Sequence, residues 1–337
     1  MTDVGPFGLS VRDQALEADV QAGLTAVEEG LLEATKSEVP FITEAAQHLV
    51  RAGGKRFRPL LVMLSAQFGA DRHAPGIVPS AVVVELTHLA TLYHDDVMDE
   101  ATVRRGVDSA NTRWGNSVAV LTGDFLFARA SHILADLGPE AVRVQAEAFE
   151  RLVTGQILET AGPQDGRDPV EHYLDVLGGK TGSLVAVSCR FGAMMSGAAD
   201  TVVDVLTQYG ERLGVAFQLA DDVLDIASDS HESGKTPGTD LREGIPTLPV
   251  LRLRERAARL GLADDLALCE LLDSDLTDDA RHAEALRLLR AHPALEQARR
   301  DTVRYAQEAR SALAPLPECA AKTALVELSD AVVHRAG

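Results

Sequence analysis

The stretch HDDVMD at residues 94–99 ends one long apolar run, and DDVLD at 221–225 ends another. Both contain the pattern Asp-Asp-x-x-Asp. In a helix, residues i and i+4 share a face and residue i+1 lies on its flank, so three carboxylates of each stretch should project together. Mg2+ prefers a few carboxylates together with waters and a substrate phosphate. We therefore predict these metal ligands: Asp95, Asp96, Asp99, Asp221, Asp222 and Asp225.

A single acidic cluster of this kind is also typical of a solvated helix end. The second copy, which again ends an apolar helical run, makes that alternative weaker. We expect the two clusters to face each other across a cavity and to hold Mg2+ ions and a diphosphate between them.

Composition and charge narrow the class of protein. The chain has 337 residues, 46% of them hydrophobic, and a net charge of -19. This length supports a large core, and no Pro/Gly/Ser-rich linker divides it, so we predict a single domain over 1–337 with residues 1–37 as an N-terminal helical extension. The negative charge argues against nucleic-acid binding, because phosphate backbones bind to basic surfaces.

The sequence also bears on location. Its three cysteines are far apart and lack a CxxC spacing, which indicates free thiols in a reducing compartment. The N-terminus has no basic segment followed by an apolar one, as a signal peptide would have. The best candidates for a membrane span are interrupted by Glu85 and Arg190. We expect a cytoplasmic protein with at most peripheral membrane contact.

Helical periodicity dominates the chain. Residues 11–36 place apolar side chains on one face, 79–97 and 201–227 are long and apolar, and 247–337 is rich in helix-forming residues. No sustained alternation typical of a strand occurs. The predicted class is all-α, a bundle of long helices around a central cavity.

Basic residues collect in two places. GGKRFRP at 53–59 lies in a region without acidic residues, between Glu44 and Asp71, and Arg104-Arg105-Gly106 follows the first acidic cluster. Arginine matches phosphate oxygens with its planar fork of donors. A flexible basic surface loop is the alternative for 53–59. His88, two helical turns before Asp95, is either a core polar group or a ligand-binding residue.

Together these motifs resemble the trans-isoprenyl diphosphate synthase, or polyprenyl synthetase, family, in its long-chain bacterial form. The resemblance extends from about residue 38 to residue 335. It rests on motifs that occur in this order: GGKRFRP at 53–59, HDDVMDEATVRRG at 94–106, GD at 123–124, KTGSL at 180–184, FQLADDVLD at 217–225, GKTPGTDLREG at 234–244 and TLP at 247–249.

The resemblance implies an Mg2+-dependent prenyltransferase that joins isopentenyl diphosphate head-to-tail to an allylic diphosphate. It implies three Mg2+ ions on the six aspartates, and a homodimer. Residues matching the contacts of the allylic diphosphate are Arg104, Lys180 and Lys235. Residues matching the metal-free isopentenyl diphosphate site are Lys55, Arg58, His88 and Arg105. Residues matching positions near the allylic cation are Lys180, Thr181 and Gln218.

One position departs from the family. A lysine usually follows the Glu-Gly of the 234–244 motif, whereas this chain has Ile245 and then Pro246. One contact to the diphosphate is therefore missing, and Lys235 and Arg242 are candidates to replace it.

Product length is expected to depend on the helix before Asp95. With a rise of about 1.5 Å per residue, the fifth residue upstream lies roughly 7.5 Å below the metals. That residue is Ala90, and Thr91 is the fourth. In the family a bulky aromatic there stops growth early, so we predict a long product, beyond about twenty carbons and roughly thirty-five to fifty. An Ala90→Phe variant should make a shorter one.

Alternatives remain open at this stage. One alternative is a short-chain synthase that makes farnesyl or geranylgeranyl diphosphate, and an assay of product chain length separates it from a long-chain synthase. A non-catalytic subunit of a heteromeric synthase would be expected to lack some aspartates, and none is lost here. A terpene cyclase would lack the isopentenyl site, and an acidic cation-binding protein would not account for the basic residues at 53–59.

Overall fold

The computed structural model describes residues 13–164, 166–228 and 237–336. Lys235 lies outside them. The chain forms two compact units, the first made of Met1–Glu150, Leu184–Gly210 and Ala312–Glu327, and the second of Arg151–Ser183, Glu211–Ser311 and Leu328–Gly337. The single-domain organisation stays a prediction.

The described residues are almost entirely helical, which confirms the predicted all-α class. The helices are α1 Gln14–Ala34, α2 Pro40–Arg51, α3 Phe57–Ala66, α4 Ile77–Met98, α5 Ala110–Trp114, α6 Asn116–Leu137, α7 Pro139–Ala161, α8 Pro169–Leu177, a π-helix Gly178–Gly182, α9 Ser183–Met195, α10 Asp200–Ala227, α11 Thr239–Arg242, α12 Leu248–Leu260, α13 Ala263–Leu272, α14 Asp279–Arg290, α15 Pro293–Ala312 and α16 Ala320–Ala336. The strands are β1 Val103–Arg104 and β2 Val107–Asp108.

Helix α4 forms the centre of the first unit. It is apolar almost all round and buried along most of its length, as expected for a helix surrounded by others. It packs on α1, α3 and most extensively on α6. A side chain at Gly123 of α6 would lie 3.1 Å from the carbonyl oxygen of Ala90, so glycine permits the close approach of α6 to α4 at this level.

The structure contains three local features that the sequence analysis did not identify. Residues 100–112 contain an antiparallel pairing of Val103 with Asp108 and of Arg104 with Val107. The residues between α8 and α9 form a π-helix. In the C-terminal third, Gly261 ends α12 in the left-handed conformation, with φ of 62°, at a break that the sequence analysis did not identify.

The expectation about membrane spans needs correction. Among the described residues, α6 is long and apolar enough to cross a membrane by length and composition. Core helices of globular proteins meet the same criterion, so this single helix is weak evidence for a span.

A glycine in the second unit brings α7 against the π-helix. A Cβ on Gly155 would lie 2.7 Å from the backbone nitrogen of Lys180 and 3.1 Å from the carbonyl carbon of Gly179. Backbone atoms cannot move aside cheaply. We expect Gly155→Ala to lower the free energy of unfolding by about 1–2 kcal/mol, because the clash exceeds the gain in helix propensity.

Gly178→Ala is the matched control, measured by the same calorimetric unfolding experiment. Gly178 has helical φ and ψ of -60° and -42°, and an added Cβ would meet nothing within 4 Å. It should keep or raise the melting temperature. Equal melting temperatures for the Gly155→Ala variant and the unmodified chain would contradict the packing described.

Candidate active site

The first acidic cluster lies at the C-terminal end of α4. Asp96 is fully buried, whereas Asp95 is half-buried and Asp99 exposed. Oδ1 of Asp96 accepts a hydrogen bond of 2.6 Å from Nε of Arg104. Among the described residues, its buried Oδ2 has no hydrogen-bond partner. A buried oxygen without a partner is costly, and a bound cation would satisfy it.

Electrostatics at Asp96 agree with this geometry. Burial raises the pKa of its carboxyl above the ordinary range, Arg104 opposes that rise, and the negative charge of Asp99 adds to it. The carboxylate form is therefore disfavoured in the protein alone and requires positive charge nearby. A divalent cation supplies such charge.

Backbone contacts fix the position of this cluster. The side-chain amide of Asn111 donates hydrogen bonds to the backbone carbonyl oxygens of Asp96, at 3.0 Å, and Ala101, at 3.1 Å. Glu100 and Arg105 have left-handed φ angles of 50° and 54°, which turn the chain back beside α4. The turn brings Arg104 to Asp96 and directs Arg105 toward the 53–59 segment.

Five side chains in the first unit form what we call the basic cluster: Arg56, Arg58, Glu85, His88 and Arg105. Nη1 of Arg105 donates to the carbonyl oxygens of Leu49, at 3.1 Å, and Gly53. Glu85 is buried and forms ion pairs with Arg56 and Arg105.

Arg58 and His88 differ from the other members of the basic cluster. Burial lowers the pKa of Arg58 to about 10, so the guanidinium is still charged at neutral pH. Among the described residues its Nε has no hydrogen-bond partner. Burial, followed by the charges of Arg58 and Arg105, lowers the pKa of His88 well below its ordinary value, so its imidazole is neutral. A charged donor without a partner and a neutral imidazole are groups that an anionic ligand can engage.

The family resemblance assigns Lys55 and Arg58, but not Arg56, to the isopentenyl diphosphate site, and the structure shows what Arg56 binds instead. Arg56 is bound to Glu28, to Glu85 at 2.9 Å and to the Val50 carbonyl, so its donors are occupied within the protein. Lys55 is exposed. Within this motif, Arg58 is thus the residue best placed to bind an anion.

The second acidic cluster lies near the end of α10 in the second unit. Asp222 is buried and accepts hydrogen bonds from the Tyr173 hydroxyl and, at 3.1 Å, from Nε2 of Gln218. Thr181 donates to Oε1 of Gln218 at 3.4 Å. Burial raises the pKa of Asp222 well above its usual range, and Asp240 and Asp225 add to the rise. The charged form of Asp222 is therefore disfavoured in the protein alone, and a nearby cation would stabilise it.

Asp225 and Lys180 have specific local partners. The carboxylate of Asp225 accepts the backbone N–H groups of Thr239 and Asp240, each at 3.2 Å, which satisfies the N-terminus of α11. Lys180 projects from the π-helix and pairs with Glu159 at 2.6 Å. The structure therefore places Thr181, Gln218 and Asp222 in one hydrogen-bonded chain, whereas Lys180 contacts a carboxylate on α7.

Arg242, one of the two residues expected to replace the missing lysine, already has partners within the protein. Arg242 pairs with Asp279 at 2.9 Å and donates to the Thr277 carbonyl at 3.3 Å. Ile245, at the position of the family's lysine, is exposed. Arg242 would have to exchange its partner to reach a diphosphate.

No three His, Cys, Asp or Glu side chains within the described ranges converge tightly enough to bind a metal unaided. This is compatible with Mg2+ because that ion keeps several waters and is bound through one or two carboxylates together with substrate phosphates.

Ala90 and Thr91, which are expected to form the wall of the cavity that holds the growing chain, differ in their surroundings. Ala90 is fully buried, beside α6 at Gly123. Thr91 is half-buried, and its hydroxyl donates to the His88 carbonyl at 2.8 Å. A larger side chain at half-buried Thr91 would meet less packing than one at Ala90, which would displace packed atoms.

Sequence reasoning missed Tyr173 and gave Glu85 no specific role. Tyr173 lies 49 positions from Asp222 in the sequence. The only local signal for Glu85 was an acidic residue in an otherwise apolar helix. A buried acid of this kind is expected to have a charged partner, but the sequence did not say which.

Known proteins that are similar to this chain come from one family. The family model for polyprenyl synthetase matches residues 39–289. Nonaprenyl diphosphate synthase of Mycobacterium tuberculosis is 48% identical over 98% of this chain and 97% of its own length. The crystal structure of geranylgeranyl pyrophosphate synthase from Corynebacterium glutamicum, complexed with calcium and isoprenyl diphosphate, has a TM-score of 0.86 and 44% identity, covering 96% of this chain and 98% of its own.

A third relative is a decaprenyl diphosphate synthase from Rhodobacter capsulatus. Its crystal structure has a TM-score of 0.85 and 35% identity, covering 96% of this chain and 99% of its own. The family match and these nearly full-length similarities agree with the order of motifs in the sequence. The chain belongs to the polyprenyl synthetase family.

Proposed function

We propose that this protein is a trans-prenyltransferase that condenses isopentenyl diphosphate head-to-tail with an allylic diphosphate to make a long-chain all-trans polyprenyl diphosphate. The observation that carries the proposal is the pairing of two kinds of anion site in the first unit. Asp96 has a buried oxygen that requires a cation, and Arg58 has a charged donor without a partner. The first suits a metal-bound diphosphate, and the second suits a diphosphate bound without metal.

In this proposal Mg2+ is bound by the aspartates of both clusters, with three ions per site. The donor set fits, because both clusters offer hard carboxylate oxygens and Asp96 keeps one oxygen free of protein hydrogen bonds. The calcium in the Corynebacterium glutamicum structure supports use of a divalent metal. When bound, Mg2+ neutralises the negative charge that develops on a departing diphosphate.

The protein's own side chains have three tasks. Arg104 and Lys180 bind the allylic diphosphate, and a third cation is proposed at Lys235. Arg58, Arg105 and Lys55 bind isopentenyl diphosphate, with neutral His88 as a hydrogen-bonding group. The oxygens of Thr181 and Gln218 lie close to the positive charge formed when the allylic C–O bond breaks. The π electrons of isopentenyl diphosphate form the new C–C bond, and a proton then leaves to the released diphosphate.

The proposed long product is supported by the wall and by two relatives. Ala90 and Thr91 are small. The similar Mycobacterium tuberculosis and Rhodobacter capsulatus proteins are nonaprenyl and decaprenyl diphosphate synthases. The alternative is a short-chain synthase, and the similarity to a geranylgeranyl pyrophosphate synthase from Corynebacterium glutamicum favours it.

We also propose a homodimer in the cytoplasm. Val120 and Leu121 on α6 and Val142 on α7 are exposed apolar side chains of the first unit, and a second copy of the chain would cover them. The free thiols of Cys189, Cys269 and Cys319 support a reducing compartment.

A direct test uses radiolabelled isopentenyl diphosphate with farnesyl diphosphate and Mg2+. We expect label to enter an acid-labile, organic-extractable product, to stop with EDTA and to resume when Mg2+ is added in excess. The reaction should require no second protein. Absence of incorporation with dimethylallyl, geranyl, farnesyl and geranylgeranyl diphosphates as primers would refute the proposed function.

A further inference from the structure

We infer that Glu85 is a positioning residue for isopentenyl diphosphate, the buried counterion that holds Arg105 in its binding orientation. The inference rests on the function proposed above and assigns a task to a residue that the proposed mechanism does not use.

Glu85 is enclosed and pairs with two arginines at once. Its side chain is 2% exposed. Oε1 accepts a hydrogen bond of 2.9 Å from Nη1 of Arg56 and lies 3.7 Å from Nη2 of Arg105. These two arginines come from different segments, one before α3 and one in the turn after α4. One carboxylate therefore joins both segments to the middle of α4.

The two guanidinium groups differ in what else binds them. Arg56 also pairs with Glu28, which is 43% exposed. Arg105 has Glu85 as its carboxylate partner within the described residues, together with the Leu49 and Gly53 carbonyls on Nη1. Removing the charge of Glu85 leaves Arg56 with a carboxylate and leaves Arg105 with none.

The orientation of Arg105 leaves one edge available. Both hydrogens of Nη1 are directed to carbonyl oxygens, and Glu85 approaches Nη2. Nε and the second hydrogen of Nη2 then remain for a ligand, and this is the edge that forms paired hydrogen bonds with phosphate oxygens. Glu85 thus determines which edge of Arg105 faces an anion.

Charge balance gives Glu85 a second reason to matter. Arg58 forms no ion pair within the described part of the chain. The positive charge of Arg105 disfavours the charged form of Arg58. The carboxylate of Glu85 favours it. Without this carboxylate, the adjacent guanidiniums repel one another and should separate before a diphosphate arrives.

The primary test compares Glu85→Gln with Glu28→Gln. Both remove a carboxylate from Arg56, but only the first acts on Arg105. We expect Glu85→Gln to raise KM for isopentenyl diphosphate about tenfold or more, because Arg105 loses its buried carboxylate partner, and to leave KM for farnesyl diphosphate within about twofold. Glu28→Gln should leave both within about twofold. An unchanged KM for isopentenyl diphosphate in folded Glu85→Gln, or equal rises for both substrates, overturns the inference.

Two further variants separate positioning from general support of the fold. In an Arg105→Gln background, Glu85→Gln should add little to KM for isopentenyl diphosphate, because Glu85 acts through Arg105. If the two substitutions instead multiply their separate effects on KM for isopentenyl diphosphate, the inference is overturned. If Glu85→Gln does not fold, Glu85→Asp replaces it in the test. This variant keeps the carboxylate on a side chain that is shorter by one methylene. It should raise the same KM, and an unchanged KM counts against Glu85.

A binding measurement distinguishes failure here from failure of the proposed function. Isopentenyl diphosphate is titrated calorimetrically into each protein in EDTA. If the unmodified chain forms no product yet binds this ligand, and Glu85→Gln binds about tenfold more weakly, the inference stands and the proposed function falls. Equal affinities overturn the inference, and so does the absence of binding to the unmodified chain, whereas the proposed function is decided by the incorporation assay alone.

Discussion

Replacing Asp96 by Asn is expected to lower kcat by roughly 10³-fold while the protein stays folded. The amide oxygen of Asn can still accept the hydrogen bond from Arg104, so local structure should be retained. The charge proposed to bind Mg2+ is lost, and stabilisation by a bound metal is worth several kcal/mol. Steady-state incorporation of isopentenyl diphosphate at saturating substrates measures the effect.

The raised pKa of Asp96 also predicts how Asp96→Asn changes the stability of the metal-free protein. Burial raises the pKa of Asp96, so in the metal-free protein its contribution to stability is present at low pH and is lost as the pH rises. The neutral amide removes that loss, so the metal-free melting temperature at neutral pH should not fall.

Asp108→Asn is the matched control for Asp96→Asn. Asp108 is an exposed residue of β2 in the same unit, so this variant makes the same chemical change away from the buried carboxylate. Its kcat should stay within about twofold of the unmodified chain. Full activity of Asp96→Asn at the usual Mg2+ concentration would remove Asp96 from the metal site.

Thr91→Phe is expected to shift the product to shorter chains without loss of primer turnover. Thr91 is half-buried on α4, so a phenyl ring there is easier to accommodate than at buried Ala90 and should obstruct a chain that grows along this helix. Reverse-phase chromatography of the dephosphorylated products measures the distribution. Thr91→Val, which removes the hydroxyl and keeps the volume, should leave the distribution unchanged. The same distribution for Thr91→Phe as for the unmodified chain would exclude this wall.

Ala90→Phe should shorten the product as well, but at a cost in stability. Ala90 has no exposed surface, and the approach of α6 at Gly123 leaves no room for a ring. Overpacking of this kind costs about 1–3 kcal/mol. Comparing the two phenylalanine variants separates obstruction of the chain from disturbance of the helix packing.

Local patterns in the sequence predicted much of this structure. The extents of α4 and α10 followed from apolar periodicity, and so did the position of Asp95 and Asp96 at the end of α4. These features depend on residues within a few positions of one another, which is the range over which sequence patterns are informative.

Features that depend on distant partners were not predictable in the same way. Arg56 lies 28 positions from Glu28 and 29 from Glu85, so the motif alone gave no sign that this arginine is structural. The π-helix around Lys180 lies against Gly155 of α7, a close contact that no local pattern indicates. The hydrogen bond from Tyr173 to Asp222 depends on α8 packing near α10.

The length of the product made by the unmodified chain tests the central claim most directly. The chain is given isopentenyl diphosphate, farnesyl diphosphate and Mg2+, and the dephosphorylated products are analysed by mass spectrometry. We predict all-trans polyprenols longer than about twenty carbons, since the wall residues of α4 are small. Products that end at about twenty carbons or fewer, or no elongation of any allylic primer, would contradict a long-chain polyprenyl diphosphate synthase.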